Sequence, residues 1–419
     1  MKLNYKRTFL ISLAFMSICA FWQLYDTIIP LILQNTFKLG ETVTGTVMAM
    51  DNVLAIFLLP VFGAYSDRVN TKLGKRTPFI LFGTITAVIL MMILPIADLE
   101  ENMIVFVVVL FLLLIAMGSY RSPAVALMPD VTPKPLRSKA NAVINLMGAA
   151  GGVFSLVMIK ILIQQVDKPN YVWVFLSVAV LMLASVMVLV STVQENKIGI
   201  KAEKEEKENL SGTDSAKLPK EVQKSLAFIL ASIFLWFMAY NAVTTAFSRY
   251  AVKVWDLKGG SFANCLLIAT IAAIFSYMPI GAISGKFGRK KTIIGGILLL
   301  SASYFAGMLF REYSSMINVV FAITGIGWAA INVNSYPMVV EMSKGSDVGK
   351  YTGLYYTFSM SAQIITPILS GLLLEHVSYY TLFPYAVTFS LLSLCTMLFV
   401  KHGDARPEKK ESLLENFDS

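Results

Sequence analysis

Histidine and cysteine are nearly absent from this 419-residue chain, with two and three copies. His376 and His402 stand apart and form no cluster. Cys19, Cys265 and Cys395 show neither metal-ligand spacing nor a disulfide framework, and read as small apolar fillers of the runs that hold them. No nucleophile–base constellation and no phosphate-cradling loop accompanies them, so the sequence offers no enzyme centre. Charge is scarce as well. Asp, Glu, Lys and Arg make up 15% of residues, where a soluble domain carries roughly a quarter. That shortage excludes an ordinary soluble protein.

Apolar sequence is what the chain has in abundance: 56% hydrophobic residues and a mean hydropathy of +0.67. Twelve runs, at 8–34, 42–66, 77–96, 102–127, 139–163, 171–193, 225–250, 261–285, 291–310, 316–340, 350–374 and 379–400, each approach or exceed 20 residues. A helix of about 20 residues crosses a bilayer core of about 30 Å. Runs this long and continuously apolar satisfy their backbone in lipid as helices rather than as barrel strands. The basic start and small residues of 1–20 resemble a signal peptide, but the apolar run continues to Leu33, so a retained first helix is expected.

The charges that remain are placed unevenly. With the N-terminus in the cytoplasm, 27 of the 35 Lys and Arg residues fall in cytoplasmic segments. The opposite loops hold only Lys38, Lys168, Lys253, Lys258 and Arg311. The positive-inside rule then places both termini in the cytoplasm. It also accounts for the net charge of +9, which therefore implies no nucleic-acid partner. Segment 194–224 is polar and rich in Lys and Glu, and reads as a flexible or partly helical linker between two six-helix halves, 1–193 and 225–400. The tail 401–419 has a similar composition and is expected to be disordered.

The halves echo one another. Gly63 to Arg76, with Asp67, Arg68, Gly74 and Lys75, is a charged, glycine-punctuated turn between two apolar runs. Gly281 to Lys291, with Lys286 and Arg289, repeats it 218 positions later. Asp130 precedes Lys139 by nine residues, and Glu341 precedes Lys350 by nine. Each acid ends a run that contains a proline, Pro123 or Pro337. Parallel repeats of this kind are a transporter design. Acids at these helix ends are placed to meet the basic turns of neighbouring helices when the cytoplasmic side closes, and to part when it opens.

These residues carry a resemblance. Gly63, Asp67, Arg68, Gly74, Lys75 and Arg76 resemble the signature turn of the major facilitator superfamily. The spacing of that turn, with Thr77-Pro78-Phe79-Ile80 after it, is similar to the sucrose/proton symporters and the wider glycoside–pentoside–hexuronide:cation symporters. So is the stretch Pro123, Asp130, Arg137 and Ala140-Asn141-Ala142. The resemblance implies an all-α fold of twelve transmembrane helices in two pseudo-repeats. It also implies a monomeric, multi-pass cell-membrane carrier, of a bacterial kind, with a sugar as its partner. No cofactor is implied beyond a co-transported proton or sodium ion. By the same resemblance Asp130 is a coupling residue, although its position equally suits a gate. The chain departs from the pattern at Asp26, Asp51 and Gly285.

Ionisable residues inside a bilayer are costly, so each is a functional candidate. At about 1.5 Å per residue, Asp26 lies roughly 27 Å into run 1 and Asp51 roughly 13 Å into run 2 from the other side. The two carboxylates thus share a layer on consecutive helices. Close together, they cannot both stay ionised cheaply, which suits proton coupling. The alternatives are a wet vestibule or a cap on a kink near Pro30. Arg121 suits either a substrate contact or neutralisation of Asp130. Arg249 and Lys160, near span ends, need only snorkel.

Polar and aromatic residues at helical spacing mark a candidate sugar site: Trp22, Tyr25 and Asp26 on run 1, Trp236, Tyr240 and Asn241 on run 7, and Trp328 and Asn332 on run 10. Asn145 and Gln363 add amides on runs 5 and 11. Packing and interfacial belts explain many aromatics equally well. The expected function is a proton- or sodium-coupled symporter of a sugar or glycoside. The alternative is a proton-coupled exporter of drugs or metabolites. Run 5 carries Gly148, Gly151 and Gly152 without the Gly-Pro motif usual in such exporters.

Overall fold

The computed structural model describes residues 4–132, 137–166, 168–195, 219–342 and 348–403. Most of the linker expected at 194–224, and the tail from 404, lie outside the described residues. Among the described residues there are twelve long α-helices and no strands. They are α1 (Tyr5–Asn35), α2 (Glu41–Arg68), α3 (Thr77–Leu99), α4 (Met103–Val131), α5 (Arg137–Leu162) and α6 (Val172–Thr192), then α7 (Lys220–Trp255), α8 (Ala263–Phe287), α9 (Arg289–Gly307), α10 (Ile317–Glu341), α11 (Val348–His376) and α12 (Leu382–Leu398).

Eleven of these are long and apolar enough to cross a membrane. The exception is α9, a 19-residue helix that opens on Arg289-Lys290-Lys291 and so has little apolar length to spare. Large apolar side chains such as Ile104 and Phe82 stand exposed around the outside, a surface suited to lipid.

The packing repeats. In the first half α1 packs on α5 and α6, α4 on α2 and α3, and α3 on α6. In the second half α7 packs on α11 and α12, α10 on α8 and α9, and α9 on α12. Each pairing recurs six helices later. Between halves, α2 meets α11, α5 meets α8 and α1 meets α7. The helices alternate in direction, so Tyr5 and His402 end on one face, called here the terminal face.

The halves touch at the opposite face. Gly45 of α2 lies so close to α11 that a Cβ there would stand 2.1 Å from the Pro367 carbonyl oxygen. Only glycine permits that approach. The Thr42 N–H donates to Glu375 at 2.7 Å, and Lys160 Nζ donates to Asn264 Oδ1 at 2.9 Å. On the terminal side the same helices stand clear. A Cβ at Gly281, Gly285 or Gly353 would meet nothing within 4 Å. Asn145 and Asn332 are exposed there at positions a lipid-facing side chain would not favour. Among the described residues, therefore, the halves meet at the opposite face and stand apart at the terminal face.

Candidate functional site

A cavity of about 210 Å³ lies between the halves. Trp22 and Asp26 of α1, Met48, Asp51 and Asn52 of α2 and Arg121 of α4 form one side. Asn241, Thr244 and Thr245 of α7, with Gln363 and Pro367 of α11, form the other. Helix chemistry adds to this polarity. Pro30 and Pro367 lie inside α1 and α11. Each lacks the N–H that a helix aims at the carbonyl four residues earlier. Those carbonyls belong to Asp26 and Gln363, both of which line the cavity.

Two carboxylates and one guanidinium share this space. The Arg121 guanidinium lies 5.3 Å from the centre of the Trp22 ring, and Asn52 Nδ2 donates to Asp51 at 2.7 Å. With both acids ionised, one arginine leaves a negative charge unmatched. Trp22 Nε1 and Asn241 Nδ2, from opposite sides of the cavity, have no hydrogen-bond partner among the described residues. The Tyr25 hydroxyl, behind the edge-on Trp22 ring, has none either. Buried donors without partners are costly, and a bound polar solute would relieve that cost for those it reaches.

The structure gathers Trp22, Asp26, Asp51, Arg121, Asn241 and Gln363 into one site, with Tyr25 behind it. It does not gather the rest. Trp236 is fully buried in the core, because the cavity face of α7 runs through Asn241, Thr244 and Thr245. Tyr240 stacks on Trp328 with ring centres 3.7 Å apart, so each ring presents one face to the other. Neither Asn145 nor Asn332 lines this cavity. Sequence reasoning missed Asn52, Thr244 and Thr245. The i, i+3, i+4 spacing of Asn241, Thr244 and Thr245 was a usable signal.

Asp130 lies elsewhere, at the terminal end of α4, and Arg76 Nε donates to it at 2.8 Å. Arg121 is in the cavity, so of its two expected roles the neutralisation of Asp130 is the one the structure rejects. Arg76, 6% exposed, also donates to Asp67, to Ser66 and, at 3.2 Å, to the Gly63 carbonyl. Gly74 holds a φ of +123° that other residues resist. The turn is fixed from behind by Glu195, a residue that no sequence pattern singles out. Its carboxylate accepts the N–H groups of Lys75, Arg76 and Thr77, each at 2.9 Å, and the Thr77 hydroxyl at 2.8 Å. It thereby caps the start of α3.

In the second half Arg289 pairs with Glu341, whereas Arg68, Lys75 and Lys286 keep exposed side chains. Among the described residues, the Arg76 and Arg289 ion pairs thus each form within one half. In this conformation these pairs join neighbouring helices of one half and do not bridge the two halves.

The Arg249 expectation also fails. Arg249 is 2% exposed and does not snorkel; its Nε donates to Glu41, 3% exposed, at 2.8 Å.

Two overlapping matches to the model of the Major Facilitator Superfamily, over residues 11–276 and 259–416, cover nearly the whole chain. The chain belongs to the Major Facilitator Superfamily. This superfamily member is accordingly a multi-pass membrane transporter and not an enzyme. It is 28% identical over 114 residues to the chloramphenicol resistance protein CraA of Acinetobacter baumannii, a match covering 27% of each chain. It is 25% identical over 151 residues to the sucrose transport protein SUC3 of Arabidopsis thaliana, covering 32% of this chain and 25% of that protein. The matches span about a quarter of the length of each of these relatives. Among solved structures it is similar to the xylose transporter XylE from E. coli in its inward open conformation. There the TM-score is 0.72, with 14% identity and coverage of 99% of this chain and 98% of that one. That likeness concerns the fold alone.

Proposed function

We propose that this transporter carries a small, polar, uncharged solute of the sugar or glycoside class, coupled to a proton or sodium ion, by alternating access. The observation that supports this most is the lining of the central cavity. Nine of its eleven residues are polar or carry a polar edge, and they come from both halves. Pockets for drug-sized ligands run to about 300–1,000 Å³ and are mostly apolar; a polar space of about 210 Å³ suits a small hydroxylated solute. The unmatched carboxylate among Asp26, Asp51 and Arg121 supplies the place for a coupling cation. The charge bias of the loops favours a cytoplasmic terminal face in a cell membrane, and the bacterial, monomeric reading belongs with the same proposal.

Solute and cation entering together neutralise the cavity and give both halves a shared ligand, which favours the occluded state. Uptake into proteoliposomes under an imposed proton or sodium gradient, screened over disaccharides and glucosides, tests this. Asp26→Asn or Asp51→Asn should abolish accumulation and spare solute exchange. Normal accumulation by both variants would remove the coupling assignment. A second reading, an exporter of cationic drugs or metabolites, draws on the same surplus negative charge and on the resistance named for CraA. Proton-driven movement of such a cation, with no response to any sugar, would select it.

A further inference from the structure

Arg249 on α7 and Glu41 at the start of α2 come from different halves, 208 positions apart, yet form a buried ion pair. The Tyr379 hydroxyl, from the short 3₁₀ turn 379–381 ahead of α12, donates to the other oxygen of Glu41. Arg249 Nη1 donates to the Thr245 carbonyl at 2.7 Å. Thr245 lines the central cavity, and its hydroxyl donates to the Asn241 carbonyl at 2.7 Å. The cluster therefore sits one helical turn above the solute space, on the side where the molecule is closed.

We propose that Glu41, Arg249 and Tyr379 form the lock of the opposite face, which must break each time the cavity opens to that side. Three physical features fit this role. The cluster joins the halves, so any parting of α2 from α7 breaks it. It sits beside the tight α2–α11 seam at Gly45 and Pro367, so the charges are dry only while the seam is shut. A buried ion pair also loses in desolvation much of what it gains in attraction, while a single charge left behind is strongly unfavourable. Such a pair sets the register of the closed state without fixing it permanently, because water can replace both partners together. Arg249 is here a positioning residue. It touches a backbone carbonyl of the cavity wall rather than the solute.

The test reads distance and needs no solute, so it stands apart from the proposed function. Nitroxide labels would be placed on Glu100→Cys and Glu312→Cys, both exposed at the opposite face, one in each half. The full chain would carry Ser at Cys19, Cys265 and Cys395, and would be reconstituted in lipid nanodiscs for pulsed electron–electron distance measurement. Glu41→Gln should add a longer-distance population that becomes the major one. Tyr379→Phe leaves no charge unpaired, and so tests the lock even where Glu41→Gln fails to fold; it should add a smaller fraction at the same distance. Wild-type distances in every folded variant would overturn the proposal. So would an equal lengthening by Lys160→Ala, which removes the exposed Lys160–Asn264 bond of the α5–α8 seam.

Discussion

Two buried arginines make nearly the same contacts at the two faces of the molecule. Arg76 holds Asp67, Asp130 and the Gly63 carbonyl at the terminal face. Arg249 holds Glu41 and the Thr245 carbonyl at the opposite face. The first set belongs wholly to the N-terminal half; the second is shared between halves. A rigid-body movement of one half against the other leaves the first intact and must break the second. Similar chemistry thus stiffens one half in one place and joins two halves in the other, and connectivity alone makes the difference.

The comparison can be broken most sharply at the opposite face. Glu41→Leu with Arg249→Met removes both charges together. Apolar replacement of a buried ion pair is often neutral or stabilising, by about 1–4 kcal/mol. The double variant should therefore match or exceed wild type in thermal unfolding in detergent. Water can no longer stabilise the parted surfaces, so both uphill transport and exchange should fall. A variant that transports normally would show that the ion pair is not needed for reversibility.

Arg76→Ala should act in the other sense. Asp67 and Asp130 are partly exposed and would hydrate, so the loss is about 2 kcal/mol, the scale of hydrogen bonds to a charged group. Thermal unfolding should register it, while the distance between Glu100→Cys and Glu312→Cys labels stays unchanged. A shift in that distance would mean that the terminal turn does control the halves. The smallest effect belongs to Lys160→Ala. Its bond to Asn264 is exposed, and its removal should change unfolding by no more than about 0.5 kcal/mol.

Much of this was legible without coordinates. Asp26, Asp51 and Arg121 stand out in apolar runs because charge at membrane depth is costly. Consecutive antiparallel helices of known rise then place the two acids in one layer, and the structure puts all three residues in one cavity. The repeated turns correctly indicated two halves. Spacing alone was less reliable for the aromatics. Trp236 and Tyr240 share a stripe of α7, but only the next stripe, at Asn241, Thr244 and Thr245, faces the solute space. At about 100° per residue, the five positions from Trp236 to Asn241 turn a side chain roughly 140°, from core to cavity, and a periodicity count does not say which stripe faces inward.

The sequence by itself determined the number of helices, their alternation and the membrane-depth charges Asp26, Asp51 and Arg121. Each follows from a local property: the length of an apolar run, or the cost of an ionised side chain in lipid. Tertiary structure alone decided which charges meet. Glu195 reaches the N-terminus of α3, and Arg249 reaches Glu41 across 208 positions. Pairing depends on where helices distant in sequence come together, and therefore on which face of the molecule is shut. No local pattern encodes that, because Arg249 would look the same near a span end whether it snorkelled to water or locked the two halves.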